Sequence, residues 1–231
     1  MKILTHINNL KNKTLEKEDN GKDYLSDILF LTRKIDDSGG VILKLSKQSI
    51  NYSINENFKQ AKCDLDNGYK EIIEFAKTLS IIKTKIGQGI ANSKINGYAY
   101  QKIKVDLLEM DFIKAREEFM EAKILFHYLR SSKKEVITPK ESLLANFEIY
   151  CGGLSDFCGE LLRKARLDII QKNNSIKDIK KYHNDTKEIY ALLSNFAFSN
   201  KSGIRTKLEH LKSYISAFEK MLYDMSKYRG R

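Results

Sequence analysis

Apolar residues recur every three or four positions along most of the chain, and no segment alternates apolar with polar residues. The longest such run lies between about Tyr98 and Leu129. This spacing is that of one face of an α-helix, whereas a strand has a period of two. A single proline, Pro139, and 12 glycines in 231 residues are too few turn residues for a β-sandwich or barrel. The sequence therefore predicts an all-α protein.

The pattern divides into a bundle of about seven helices. Residues 1–22 are polar and rich in Lys and Asn, so we expect a tail or a short helix there. Helix ends are expected at Ser38-Gly39-Gly40 and at Asn67-Gly68, because glycine commonly terminates helices. The predicted helices cover about 22–38, 41–66, 69–90, 98–129, 139–171 (with Thr138-Pro139 as cap and first turn), 175–198 and 204 onwards. Residues 23–231 are expected to form one domain, and the length and apolar width of these helices favour self-association.

Basic side chains outnumber acidic ones, with 41 Lys+Arg, 30 Asp+Glu and a net charge of +11. This excess favours a polyanionic partner, nucleic acid first and an anionic membrane surface second, although ordinary solubility charge is an alternative. No stretch approaches the roughly 18 apolar residues of a membrane span, and the first residues lack the apolar run of a signal peptide. We expect a cytoplasmic protein that does not insert into membranes, with its three cysteines reduced.

Several familiar kinds of catalytic motif are missing from the sequence. It contains no G-x-x-x-x-G-K-[ST] or G-x-G-x-x-G loop of the nucleotide-binding kind. The four histidines are scattered, without H-E-x-x-H or a His/Cys cluster, so a zinc site is not expected. The acidic residues remain as the candidates for chemistry.

Two pairs of acidic residues lie at helical spacing. Glu118 and Glu121 are three apart in the long central helix, and Asp156 and Glu160 are four apart in the helix that begins near residue 139. Each pair shares a helix face, where like charges are destabilising. A hard divalent cation such as Mg²⁺, which prefers oxygen ligands, would relieve this repulsion. Two lysines one turn away could also do so: Lys114 and Lys164. In a chain with 31% charged residues, such pairs also arise on solvated faces.

Three glycines lie inside the helix that carries Asp156: Gly152, Gly153 and Gly159. Each costs about 1 kcal/mol relative to alanine in a helix interior. Their presence predicts the close approach of another helix or of a ligand.

The segment around the second acid pair resembles the translin family, and most closely its catalytic branch, the translin-associated factor X proteins. It reads Tyr150-Cys-Gly-Gly-Leu-Ser-Asp-Phe-Cys-Gly-Glu-Leu-Leu-Arg163. The positions that match the Y-L-L-G-V-A-D-L-T-G-E-L-x-R segment of that branch are Tyr150, Gly153, Asp156, Gly159, Glu160, Leu161 and Arg163. On the central helix, Glu118-Phe-Met-Glu-Ala122 is similar to the E-Y-V-E-A segment. The resemblance extends from about Lys22 to the end of the chain.

This resemblance implies an all-α bundle that assembles into octameric shells, with translin and factor X subunits co-assembling in some organisms. The catalytic branch is a metal-dependent endoribonuclease that acts on single-stranded RNA. By this likeness Glu118, Glu121, Asp156 and Glu160 would be the catalytic acids and would bind Mg²⁺, or Mn²⁺ in its place. Plain translin subunits bind single-stranded nucleic acid and lack the full acid set, which this chain has.

The nucleic-acid contacts implied by the resemblance are only partly matched. Residues 97–104 correspond to an Arg/His-rich stretch of the translin branch, and only Lys102 and Lys104 are basic here. With Lys114 and Arg163 they are our candidate nucleic-acid ligands.

The resulting hypothesis is a Mg²⁺-dependent endoribonuclease that acts on single-stranded RNA, with single-stranded DNA as a second candidate ligand. It would assemble as a homo-octamer, or with a translin-like partner subunit. The alternatives are a non-catalytic translin-like protein or scaffold that binds single-stranded DNA or RNA, and a helical interaction protein with no nucleic-acid role.

Overall fold

The structure is a computed structural model, and it describes residues 19–91, 98–132, 134–137, 147–171, 176–198 and 203–228. For residues 19–25, 89–91, 98–104 and 228 it describes the backbone alone. Six helices cover almost all of these ranges, and no strand occurs in them: α1 (Asp19–Ile54), α2 (Phe58–Ala91), α3 (Tyr98–Arg130), α4 (Phe147–Ile170), α5 (Ile176–Ser194) and α6 (Ile204–Tyr228). The predicted all-α class is confirmed. Within the described ranges, no helix combines the length and apolar character that crossing a membrane requires.

Helix α1 continues through Ser38-Gly39-Gly40, so the predicted helix end at this point was wrong. Ile35 and Ile42 are both buried, 1% and 0% exposed, and lie two turns apart on the same face. Burial of that face outweighs the penalty of about 1 kcal/mol for each helical glycine. A Cβ atom on Gly39 would lie 3.4 Å from the ring of Phe75 in α2, an ordinary van der Waals contact, so this face of α1 packs on α2 at the glycine.

The break between α1 and α2 instead falls at residues 55–57. Glu56 has a φ of 62°, in the left-handed region, which turns the chain. Asn57 then caps α2, since its Oδ1 accepts a hydrogen bond from the backbone N–H of Gln60 at 3.4 Å. The second predicted end, Asn67-Gly68, was also wrong, because Gly68 is buried within the packed face of α2 and the helix continues past it.

Two other predicted helices match the structure closely. The central helix expected over 98–129 is α3, and the last helix expected from residue 204 is α6. The predicted cap at Thr138-Pro139 and the polar residues 1–18 lie outside the described residues. The polar segment predicted over residues 1–22 overlaps α1, because this helix already begins at Asp19.

The chain forms two compact units, the first comprising Met1–Lys44 and Asn67–Ala115. In this unit Phe75 of α2 stacks on Phe112 of α3, with ring centroids 4.4 Å apart. An ion pair at 2.6 Å joins Lys34 of α1 to Glu74 of α2. The ring contact holds α2 against α3, and the ion pair joins α1 to α2.

The second unit comprises Leu45–Asp66 and Arg116–Arg231. Helices α4, α5 and α6 pack against one another in it. Phe157 of α4 lies edge-on to Tyr128 of α3, with centroids 5.2 Å apart, and both side chains are fully buried. The Tyr128 hydroxyl donates a hydrogen bond to Asp185 of α5. This core fixes α4 against α3, and those two helices carry the four predicted acids.

The cysteines differ in their surroundings. None of the three takes part in a disulfide; Cys63 is exposed, and Cys151 and Cys158 are buried in α4. Burial raises the pKa of the Cys151 thiol to about 11. The two thiols of α4 therefore behave as small core residues.

Candidate acidic functional site

Helix α4 meets α3 at close range where Gly153 lies. A Cβ atom on Gly153 would be 2.8 Å from Met120 Cβ and 2.9 Å from the backbone nitrogen of Glu121. No side chain larger than hydrogen fits there unless the helices move apart. Of the two explanations that the sequence allowed for this glycine, the close approach of another helix is the correct one. The contact places the acids of α3 beside those of α4.

The structure brings the four predicted acids together. Glu121 is 8% exposed. Burial, followed by the charges of Asp156, Glu160 and Glu118, raises the pKa of Glu121 to about 9. None of the described residues forms a hydrogen bond or an ion pair with the Glu121 carboxyl. Glu121 is therefore a buried acid that faces three other carboxyl groups.

A lysine from α6 enters this cluster. The Lys207 ammonium donates hydrogen bonds to Asp156 Oδ2 at 2.6 Å and to Glu117 Oε2 at 2.9 Å. It also lies 3.4 Å from the backbone oxygen of Gly152. Burial opposes the charge of Lys207, but Asp156 and Glu117 outweigh it and raise the pKa of the lysine. Burial raises the pKa of the Glu117 carboxyl, and Lys207 offsets part of that effect.

Sequence reasoning missed Glu117, Lys207 and Tyr214. Glu117 precedes Glu121 by four residues and so lies on the same side of α3, a spacing that could have identified it. Tyr214 of α6 packs its ring against Gly159. Burial and then the charge of Asp156 raise the pKa of Tyr214, which places its hydroxyl near the cluster. No local pattern marks either residue of α6.

The cation beside Glu160 is Arg163. Its Nη1 lies 3.1 Å from Glu160 Oε2, and its Nη2 donates to Asn51 Oδ1 at 2.6 Å. Burial raises the pKa of Glu160, and Arg163 partly offsets this. As a candidate nucleic-acid ligand, Arg163 is exposed, but its guanidinium already holds these two partners.

Lys164, which by its spacing could have neutralised Glu160, pairs with other acids instead. Lys164 forms ion pairs with Asp168 at 2.8 Å and with Glu56 at 3.1 Å. Its side chain is only 10% exposed and lies against the end of α1. Within α4, Lys164 therefore pairs with the acid four residues after it, Asp168, and not with the acid four residues before it, Glu160.

The other candidate nucleic-acid ligands lie in the first unit. Lys114 is exposed on α3. Lys102 and Lys104 lie on the first turns of α3, and their side chains are outside the described part of the structure. Their contacts therefore stay predictions.

The acidic cluster suits a divalent cation in its donor atoms but not in its present geometry. As they stand, no three Asp, Glu, His or Cys side chains of the described residues come close enough together to hold a metal ion. The donor chemistry nevertheless suits a hard cation, because every donor is a carboxylate oxygen and the buried Glu121 has no described partner. The Asp156 side chain is 35% exposed, so solvent reaches the cluster.

Comparisons with known proteins agree with this architecture. Residues 32–227 match the Translin family. Similar solved structures include apo-NeC3PO, which is 24% identical with a TM-score of 0.63 over 91% of this chain and 97% of that chain. AfC3PO is 16% identical, with a TM-score of 0.66 over 91% of this chain and 97% of its own.

A complex of AfC3PO with duplex RNA is also similar, at 17% identity and a TM-score of 0.63 over 90% of this chain and 95% of that chain. No curated protein matches the sequence. Identities this low show a shared fold alone, whereas the family match covers most of the chain. The protein therefore belongs to the translin family.

Proposed function

We propose that this chain is a Mg²⁺-dependent endoribonuclease of the translin-associated factor X type, which cleaves single-stranded RNA. The observation that carries the proposal is the environment of Glu121, a buried carboxyl with no described partner beside Glu118, Asp156 and Glu160. Structural needs alone do not explain such a group, because burying an acid among acids destabilises a fold. Acids with strongly perturbed pKa values are commonly functional.

In the proposed reaction the acidic side chains bind the metal and the basic side chains attract the RNA strand. Glu118, Glu121, Asp156 and Glu160 would hold Mg²⁺, or Mn²⁺, through carboxylate oxygens. A bound divalent cation supplies Lewis-acid polarisation of a phosphodiester and activation of an attacking water. RNA and solvent would reach the cluster at the partly exposed Asp156. The buried Glu121 would form the inner side of the cluster. Lysine and arginine side chains steer the strand by their charge.

RNA is the proposed substrate because of the charge and the fold of the chain. The net charge of +11 favours a polyanion. One solved structure of AfC3PO, which shares the fold, is a complex with duplex RNA. We further propose Lys102, Lys104, Lys114 and Arg163 as contacts to the strand, with a cytoplasmic homo-octamer as the working assembly. Light scattering on the purified protein measures the subunit number.

The test uses end-labelled single-stranded RNA, and the same RNA as a duplex, incubated with pure protein in Mg²⁺, Mn²⁺ or EDTA. We expect internal cleavage of the single strand with either metal and none in EDTA. Glu121→Gln and Asp156→Asn should each lower the cleavage rate by about 100-fold or more. The matched control is Glu188→Gln, on an exposed face of α5, which should cleave at the wild-type rate. Undiminished cleavage in EDTA or by Glu121→Gln contradicts the proposal.

The second candidate function is non-catalytic binding of single-stranded nucleic acid. It is favoured by the ion pairs of Lys207 with Asp156 and of Arg163 with Glu160, which already neutralise two of the acids. It predicts RNA or DNA binding without products, and binding that is indifferent to Glu121→Gln. The cleavage assay separates the two functions directly.

A further inference from the structure

Two aromatic side chains of α6 lie one helical turn apart beside the acidic cluster. The ring centroids of His210 and Tyr214 are 6.5 Å apart, and the two ring planes are tilted by 42°. Lys207, which hydrogen-bonds to Asp156, precedes His210 by three residues and Tyr214 by seven. At this spacing the three side chains leave the same side of α6. The aromatic pair therefore lies along the α6 side of the cluster.

The two rings are held differently. Tyr214 is half-buried, and a Cβ atom on Gly159 of α4 would lie 3.2 Å from its hydroxyl oxygen. The tyrosine ring thus packs against the backbone of α4, and this contact fixes its orientation. His210 is exposed to solvent. Together they present one aromatic ring that is held in place and one that is free to adjust.

The polar atoms of these rings lack protein partners among the described residues. There, neither the Tyr214 hydroxyl nor the His210 imidazole forms a hydrogen bond or an ion pair. The hydroxyl of a buried tyrosine usually has such a partner. Both groups are therefore left to solvent, or to a ligand that combines a flat face with hydrogen-bonding edges.

From this arrangement we propose that His210 and Tyr214 form a stacking surface for an unpaired nucleobase of the RNA. The inference rests on the proposed RNA ligand and deepens it, because it gives a physical reason for preferring a single strand. Unpaired bases stack on tyrosine and histidine rings and offer their edges to hydrogen bonds, whereas the bases of a duplex are already stacked and paired. A nucleobase is also neutral, so it can approach the acids where a phosphate group is repelled.

Binding of labelled single-stranded and duplex RNA in EDTA, followed by fluorescence anisotropy, tests the surface in the full-length protein. His210→Ala should weaken single-strand binding by about fivefold or more and leave duplex binding unchanged. His210→Phe, which keeps an aromatic ring but cannot carry a charge, should bind with nearly the wild-type affinity. The matched control is Tyr223→Ala, because Tyr223 is an exposed aromatic residue of α6. It follows Tyr214 by nine residues, two and a half turns, and so lies on the opposite side of the helix.

A fluorescent base analogue reports the stacking itself. We would use a series of single strands, each with one 2-aminopurine at a different position, because stacking quenches the fluorescence of this base. At least one strand should be quenched on binding the wild type, and less so by His210→Ala or Tyr214→Ala. Tyr214→Ala leaves a space beside Gly159, so circular dichroism is needed to check its folding. His210→Ala alters an exposed side chain and carries the test alone if the tyrosine variant unfolds.

The outcomes separate this inference from the proposed function. Equal single-strand affinity and equal quenching in wild type and His210→Ala overturn the stacking surface, and cleavage by the wild type would then still support the nuclease. Equal losses of affinity for single-stranded and duplex RNA also overturn it, since they indicate a contact to phosphate. Quenching that depends on His210, without cleavage in Mg²⁺, supports the surface and overturns the nuclease. Failure of the wild type to bind RNA even at low salt overturns both.

Discussion

At the scale of single residues, the acidic cluster is incompletely neutralised. Lys207 forms ion pairs with Asp156 and Glu117, and Arg163 forms one with Glu160. Glu121 is left as a buried acid beside the others, which is why its pKa is raised to about 9. A carboxyl in that state is mostly protonated at neutral pH when no cation is bound. The fold tolerates it only by keeping it neutral.

The stability of the protein in EDTA should therefore fall as the pH rises. The ordinary pKa of Glu121 is 4.5 and the folded value is about 9, so between them the folded state binds more protons than the unfolded state. We expect a loss of about 1.4 kcal/mol of unfolding free energy for each pH unit from this group between roughly pH 6 and 8. Urea denaturation at several pH values measures it.

The matched variants for this experiment are Glu121→Gln and Glu188→Gln. Glu121→Gln should remove most of that slope and be more stable than wild type at the upper end of the pH range. Glu188→Gln should keep the wild-type slope, because its side chain is exposed. Parallel pH profiles for wild type and Glu121→Gln would show that Glu121 is ionised in the folded protein.

At the scale of secondary structure, the long helices depend on packing more than on local propensity. Helix α1 extends over 36 residues and passes through two consecutive glycines, Gly39 and Gly40. Glycine would favour a helix end at this point, but the buried face from Ile35 to Ile42 holds the backbone helical. By contrast, Gly203 just before α6 has a φ of +68° and is a true left-handed position.

Alanine substitutions at these glycines should therefore have opposite effects. Gly40→Ala adds a methyl group with no atom within 4 Å, and should stabilise the protein by about 0.5–1 kcal/mol. Gly203→Ala forces a side chain into the left-handed region and should destabilise it by about 1 kcal/mol. Thermal unfolding monitored by circular dichroism measures both. A destabilising Gly40→Ala would indicate that α1 is interrupted at that residue.

At the scale of the whole molecule, the charge is the property that most concerns the proposed partner. The net charge of +11 is carried by a chain that also holds an acidic cluster in its second unit. The net positive charge attracts a polyanion, whereas the acidic cluster repels it. Binding should therefore be electrostatic overall, while the acids need a cation beside them before phosphate approaches.

Binding of labelled RNA in EDTA should depend strongly on salt. Release of counterions from the phosphates predicts a loss of affinity of about 100-fold or more between 50 and 200 mM salt. Fluorescence anisotropy with single-stranded and duplex RNA measures this without cleavage. Affinity that does not change with salt, or no binding even at low salt, would favour a helical interaction protein with no nucleic-acid role.

Local patterns in the sequence were sufficient for the fold class and for the two acid pairs. The three- to four-residue periodicity determined the extents of α3 and α6, because an apolar stripe needs only the helical repeat. The spacing of Glu118 and Glu121, and of Asp156 and Glu160, likewise defined shared faces. The helix ends predicted at Gly39-Gly40 and Asn67-Gly68 were wrong, because the preference of glycine is local and weak beside a continuous buried face.

Only the tertiary structure decided how those faces meet and which charges share them. Gly153 lets α4 approach α3, which turns two separate acid pairs into one cluster. Lys207 is 51 residues away from Asp156 in the chain, and no repeat or spacing relates the two. The physical reason is that a helical repeat specifies the direction of a side chain on its own helix, whereas its ion-pair partner depends on which other helix packs there.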